Sequence, residues 1–242
     1  MRYLLLCAFL IACSHQKETH PKWSYAGENA PYHWGEVDES FKQCETGSQQ
    51  SPINLVKAKA QNFKQKVAFN YQDMQGVVVN TGHALEIDFD KSAYLVLDGK
   101  KFFLRQMHFH AKSEHALNGL FFPAELHIVH ESEDRHLAVV GIFIEVDDEK
   151  FDRFGFFQSL PEAGQKRASS SIQFSKIMNN LGGHFYYKGS LTTPPCTEDV
   201  HWLVFDHHLK LSSLQLERLA ALYSNNYRPL QPLKKQQLFY GQ

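Results

Sequence analysis

Strand-like stretches dominate the middle of this 242-residue chain, and in 106–110 and 125–129 polar and apolar side chains alternate with the period of a β-strand. Segments 76–80, 84–89, 94–97, 102–110, 124–130 and 137–146 qualify as strands, and turn dipeptides such as Asp98-Gly99 separate several of them. Two stretches follow the helical period instead. Ser212-x-x-Gln215 is a capping box, and Leu216, Leu219, Ala220 and Tyr223 follow it at helical spacing. Segment 175–181 is a shorter helix stopped by Gly182-Gly183. Together these elements predict a mainly β protein of the α+β class with a few helices.

Two of the strands carry histidines in an informative phase. In Gln106-Met107-His108-Phe109-His110, residues two apart share a face, so Gln106, His108 and His110 point one way and Met107 and Phe109 the other. In Glu125-Leu126-His127-Ile128-Val129, Glu125, His127 and Val129 share a face. If the two strands are neighbours, three imidazoles converge. Three neutral nitrogen ligands with a fourth position open describe a catalytic zinc site, whereas a structural site is closed by four. Gln106 and Glu125 each precede a proposed ligand by two residues. That is where an acceptor for the ligand's second N–H belongs. The apolar flanks predict that these polar faces are buried, which requires a reason for them to be polar at all. His20, His33, His130, His136, His184, His201, His207 and His208 lack matching partners and read as surface or core residues.

Composition sets the frame. With 43% hydrophobic residues the chain is long enough for one domain with a sizeable core. Its net charge of −1 gives no sign of nucleic acid or another strongly charged partner. Residues 1–12 read as an export signal: Arg2 precedes an apolar run far too short to span a bilayer. The run ends in Leu10-Ile11-Ala12-Cys13, which looks like a bacterial lipoprotein cleavage box. Cys13 then becomes the lipid-bearing first residue and 13–21 a polar tether, leaving 22–242 as the folded domain. The mature balance is 24 basic against 26 acidic residues. The expected location is outside the cytoplasm, periplasmic or at the cell surface, with the membrane reached only through that lipid.

Beyond the histidine strands, the chain resembles the α-class carbonic anhydrases from about Trp23 to Pro232. The motifs are Tyr32-His33-Trp34-Gly35, Gln49-Gln50-Ser51-Pro52-Ile53-Asn54, Asn80-Thr81-Gly82-His83 and Ser113-Glu114-His115. Leu137-Ala138-Val139-Val140-Gly141, Gly189-Ser190-Leu191-Thr192-Thr193-Pro194-Pro195 and Arg228-Pro229-Leu230-Gln231-Pro232 follow in order. The short link Ala111-Lys112 is similar to the bacterial branch. The resemblance implies a large central twisted sheet, mostly antiparallel, with short peripheral helices and zinc at the foot of a conical cavity. It implies cis bonds at Ser51-Pro52 and Pro194-Pro195, and pairing into homodimers as in related bacterial enzymes.

The implied activity is reversible hydration of carbon dioxide to bicarbonate and a proton, by attack of a zinc-bound hydroxide. Zinc falls to His108, His110 and His127. Thr192, paired with Glu114, is implied to orient the nucleophile, and His83 to export the proton, since an imidazole titrates near pH 6.5. Val129, Val139, Leu191, Val200 and Trp202 are implied to form the apolar substrate wall, with Thr193 at the mouth and Tyr25 in the water network. Thr81 and Glu86 depart from the pattern: many relatives carry water-ordering amides there, so these changes bear on proton export.

An exported chain that has lost Cys7 with its signal and committed Cys13 to lipid retains Cys44 and Cys196, a pair expected as a disulfide. Similar bacterial proteins share the arrangement. Closing so long a loop contributes on the order of 5 kcal/mol in the chain-entropy model.

Three rival readings share parts of this pattern. A cupin-type iron or manganese centre shares His108-x-His110-x-x-x-Glu114, but cupins place glycines where this chain has Phe102 and Phe121. A non-catalytic binding module of the same family would have lost ligands that are all present here. An esterase would use the same zinc site.

Overall fold

The computed structural model describes residues 23–148, 154–169, 171–179, 181–223 and 225–242. Residues 1–22, which include segment 1–12, Cys13 and the whole 13–21 tether, lie outside the described residues, and with them the export and lipid expectations. In chain order the strands are β1 (Asn54–Leu55), β2 (Gln61–Asn62), β3 (Val67–Asn70), β4 (Val77–Asn80), β5 (Leu85–Asp88), β6 (Tyr94–Leu97) and β7 (Lys100–Ala111). They continue with β8 (Ala116–Leu117), β9 (Ala124–Glu131), β10 (Leu137–Val146), β11 (Lys166–Ala168), β12 (His184–Ser190), β13 (Glu198–Leu211) and β14 (Phe239–Gly241). The α-helices are α1 (Trp34–Val37), α2 (Gln43–Thr46), α3 (Phe174–Ile177) and α4 (Ser213–Leu222).

Twelve strands build one sheet, ordered β11-β4-β5-β7-β9-β10-β13-β12-β14-β2, with β6 beside one half of β7 and β3 beside β6. Within it β10 pairs with β13, and β14 with β2, in parallel; the other ladders are antiparallel. This is the large, mostly antiparallel sheet that the resemblance implies.

The sheet separates two apolar clusters. Met107, Phe109, Leu126, Ile128, Val140 and Leu203 pack on one side with Phe154, Phe156 and Phe157. Val139, Phe143, Val200, Trp202 and Val204 pack on the other with Ile53 and Leu55. In the middle of β13, the longest strand described, Trp202, Leu203, Val204 and Phe205 are buried in succession, so this stretch carries no period of two.

β7 contains one slip of phase. Phe102 and Leu104 belong to the large cluster, and so do Met107 and Phe109, although an unbroken period of two would turn them away. The register against β9 shifts between Leu104 and Gln106. An extra residue in one strand is a β-bulge, and it swaps the faces of everything beyond it. Without it, Gln106, His108 and His110 would point into the phenylalanine-rich core.

The helical expectations fare unequally. α4 starts with the expected capping box, Ser212 accepting from the Gln215 N–H and Gln215 from the Ser212 N–H. The helix expected over 175–181 is instead the four-residue α3, which ends at Ile177. Met178 follows as the C-cap, outside helical geometry, its N–H bonded to the Phe174 carbonyl. The peptide bonds at Ser51-Pro52 and Pro194-Pro195 are cis, as is Ala111-Lys112.

Candidate metal centre

Register brings the histidines together. His108 on β7 lies directly opposite His127 on β9, and His110 opposite Glu125. One nitrogen from each of His108, His110 and His127 lies within 4.8 Å of the others. Each ring's second nitrogen is already taken. His108 Nδ1 meets Gln106 Oε1 at 2.8 Å, His110 Nδ1 meets the Asn226 carbonyl at 2.6 Å, and His127 Nε2 meets Glu125 Oε1 at 2.9 Å. All three partners are acceptors, so those nitrogens carry the protons and the facing nitrogens carry lone pairs. His110 Nε2 and His127 Nδ1 are buried and have no hydrogen-bond partner. Buried polar atoms are nearly always paired; two orphans facing one point fit an ion as the missing partner. Burial holds His108 well below its ordinary pKa, His110 down at about 4, and His127 below its usual value, so all three are neutral and able to ligate.

Glu125 is the hub behind the cluster. Its Oε1 accepts from His127 and from His115 Nδ1 at 2.7 Å, and its Oε2 accepts the backbone N–H groups of Glu114 and His115. Burial alone would raise its pKa, but His115 and His127 outweigh that and hold the carboxyl well below the usual range. Room for it comes from Gly141 on β10, opposite His127: a Cβ there would sit 3.0 Å from Glu125 Oε1. The network continues through His115 Nε2, the Tyr187 hydroxyl and Ser51 Oγ to Ser190, at the head of the loop bearing Thr192.

Glu114, fully buried, takes the Arg228 N–H on Oε1 at 2.8 Å, while Oε2 faces His110 Nε2 at 3.4 Å and His127 Nδ1 at 3.8 Å. Burial lifts its pKa to about 7, against the pull of His127, the Arg228 N–H and the Thr192 hydroxyl. The guanidinium of Arg228 binds Gln50 Oε1, the Ser51 carbonyl and the Cys44 carbonyl. Cys44 is disulfide-bonded to Cys196, which fixes the loop just after Thr192 and Thr193.

His83 stands apart from the cluster, half-buried, with its ring stacked on Trp23 at 3.9 Å between centroids and edge-on to Tyr25. Burial lowers its pKa. Tyr25 is held protonated by burial and by the nearby Glu114 charge. Val139, Val200 and Trp202 share one apolar cluster with the partly buried Val129 and Leu191. Glu86 lies across from His108 on β5, its pKa raised to about 8 by burial and then by Asp88.

Three participants escaped the sequence reading: the Asn226 carbonyl, the Arg228 N–H and His115. The first two act through the main chain and have no residue-type signature. His115 sits in a quoted motif but has no i±2 partner to mark it. Asn226 had no such motif beyond its place beside Arg228, yet its side chain also binds the backbone of His83, Phe109 and Ala111.

Two buried imidazoles and a partly buried third, with their tautomers fixed, form on a twisted, mainly antiparallel sheet a cluster that could hold one metal ion. A family model described as eukaryotic-type carbonic anhydrase matches residues 29–242. The chain is 32% identical to a carbonic anhydrase of Neisseria gonorrhoeae, covering 95% of this chain and 91% of that one. It is 35% identical to a carbonic anhydrase of Pectobacterium carotovorum, covering 87% of each. Among solved structures, the α-carbonic anhydrase of Thermovibrio ammonificans in complex with the inhibitor sulfanilamide superposes with a TM-score of 0.85 at 36% identity, covering 91% of this chain and 99% of that one. The chain belongs to the α-carbonic anhydrase family, whose reaction interconverts carbon dioxide and bicarbonate.

Proposed function

We propose that this enzyme hydrates carbon dioxide at a single zinc ion held by His108, His110 and His127. The observation that carries the reading is the pair of buried, unpartnered nitrogens on His110 and His127, with the second nitrogen of each of the three rings already bonded to an acceptor. Zinc, when bound, supplies a nucleophile near neutral pH by lowering the pKa of its water to about 7, a value for which carbonic anhydrases are themselves the standard example.

The chain's own residues do the rest. Gln106, Asn226 and Glu125 orient the rings. Glu114, when ionised, accepts the Thr192 proton; a hydroxyl has one donor, so Thr192 then meets the nucleophile as an acceptor and fixes its lone pair toward the substrate. Carbon dioxide carries no charge and no strong hydrogen-bonding group, so Val129, Val139, Leu191, Val200 and Trp202 hold it by apolar contact, with Thr193 at the entrance. His83 takes the released proton, and Trp23 sets where its ring stands. Export rests on the Cys44–Cys196 bond, which favours an oxidising compartment, and on the lipoprotein-type start with Cys13 as the acylated residue; a mass spectrum of the mature N-terminus tests it.

Stopped-flow hydration of carbon dioxide tests the whole reading. Activity is expected to vanish after chelation and return on addition of zinc. His83→Ala is expected to slow turnover about tenfold or more in dilute buffer, with partial rescue by imidazole. Activity that survives complete metal removal contradicts the zinc reading; a His83→Ala rate unchanged in every buffer contradicts the shuttle.

A further inference from the structure

Away from the histidine cluster the surface opens into a cleft of about 530 Å³, within the size range of small-molecule sites. Tyr25, Pro31, Tyr32, Lys112, Phe121 and Tyr227 form much of its wall, which includes none of the three clustered histidines and no acidic side chain. Large rings face solvent here: Tyr32 is 81% exposed and Phe121 41%. A contiguous exposed aromatic surface marks an interaction site more often than scattered exposed residues do.

The cation in this wall is available. The Lys112 ammonium lies 3.7 Å from the Phe121 ring centroid and 4.9 Å from that of Tyr227. The faces of those rings hold the ammonium in place by cation–π attraction, and among the described residues none of its three N–H donors has a side-chain hydrogen bond. Among the described residues, no carboxylate pairs with it. Arg228, the second cation of the wall, is already committed to Gln50, Ser51 and Cys44.

A neutral arene would cover the rings and leave the ammonium unmatched. A bare inorganic anion would do the reverse. We infer that this cleft binds aromatic carboxylates, with Lys112 holding the carboxylate and Tyr32, Phe121 and Tyr227 covering the ring.

Titration of the full-length protein with 4-hydroxybenzoate, followed by ligand-observed NMR or calorimetry, tests this. Saturable one-to-one binding at roughly millimolar concentration is expected, as suits so small a ligand. Lys112→Gln should weaken it about tenfold, the scale of one charge-assisted contact, and Tyr32→Ala should weaken it several-fold. Both positions are on the surface, and matched thermal unfolding will show that the variants are folded. The neutral analogue 4-hydroxybenzyl alcohol should bind as weakly as the carboxylate binds to Lys112→Gln. Affinity should be equal in zinc-loaded and chelator-treated protein. Binding that is lost on chelation, that keeps full strength in Lys112→Gln, or that is absent at tens of millimolar overturns the inference.

Discussion

The two faces of β7 and β9 are both buried, yet different forces hold them. On one face Met107, Phe109, Leu126 and Ile128 sit in an apolar core, where burial and close packing suffice. On the other, Gln106, His108, His110, Glu125 and His127 are bound to specific acceptors and donors, with two nitrogens left over. The apolar face contributes stability. The polar face, without a ligand, costs stability, because its desolvated groups are incompletely paired. The bulge between Leu104 and Gln106 lets one strand serve both, since it changes which residues look which way.

Separate substitutions on the two faces should therefore separate stability from metal binding. The largest expected effect is on the apolar side: Phe109→Ala should lower unfolding free energy by about 3–5 kcal/mol, as for other buried phenylalanines, while the protein that remains folded keeps its zinc. Chemical denaturation with parallel metal analysis measures both. If zinc is lost in the folded fraction as well, the faces are not independent.

On the polar side, Glu125→Gln should weaken zinc binding by about 10–100-fold, the usual cost of losing an acceptor behind a ligand histidine. Competition with a chromogenic chelator reads this directly. An unchanged affinity would remove Glu125 from the account, because Glu125 joins His127 to His115 and to two backbone N–H groups.

An effect confined to acid pH sharpens the comparison from outside the cluster. His130, one residue before the end of β9, is wholly buried between the Tyr71 hydroxyl and the Ala138 carbonyl, and burial drives its pKa down to about 3. A histidine depressed in the folded state is neutral there while the unfolded chain takes up a proton below about pH 6.5. Its contribution is therefore intact above pH 6.5 and is lost as pH falls toward 3, at up to about 1.4 kcal/mol per pH unit. His130→Phe should flatten the unfolding midpoint against pH between 6 and 4. A slope that does not change assigns the acid sensitivity to other groups.

Much of this contrast was legible before any coordinates. His108, His110 and His127 share faces with Gln106 and Glu125 through the period of two, so ligands and two of their three supporting acceptors could be read together. β6 and β10 matched their strand-like segments end to end. What could not be read depends on the main chain or on long-range packing. The third acceptor is the carbonyl of Asn226, 116 residues from His110. Arg228 reaches Glu114 through its backbone N–H, whatever its side chain. The middle of β13, Trp202 to Phe205, is buried on both sides and so shows no alternation. The phase slip in β7 is visible in the spacing of Phe102, Leu104, Met107 and Phe109, but only pairing with β9 shows which residue is extra.

The central claim is that three imidazoles and one open position bind zinc. X-ray absorption at the zinc edge, on purified protein shown by elemental analysis to carry its metal, tests it most directly. The account predicts about one zinc per chain, with a first shell of three imidazole nitrogens and one oxygen. A sulfur or fourth histidine in the shell, iron or manganese in place of zinc, or no bound metal at saturating zinc would contradict it.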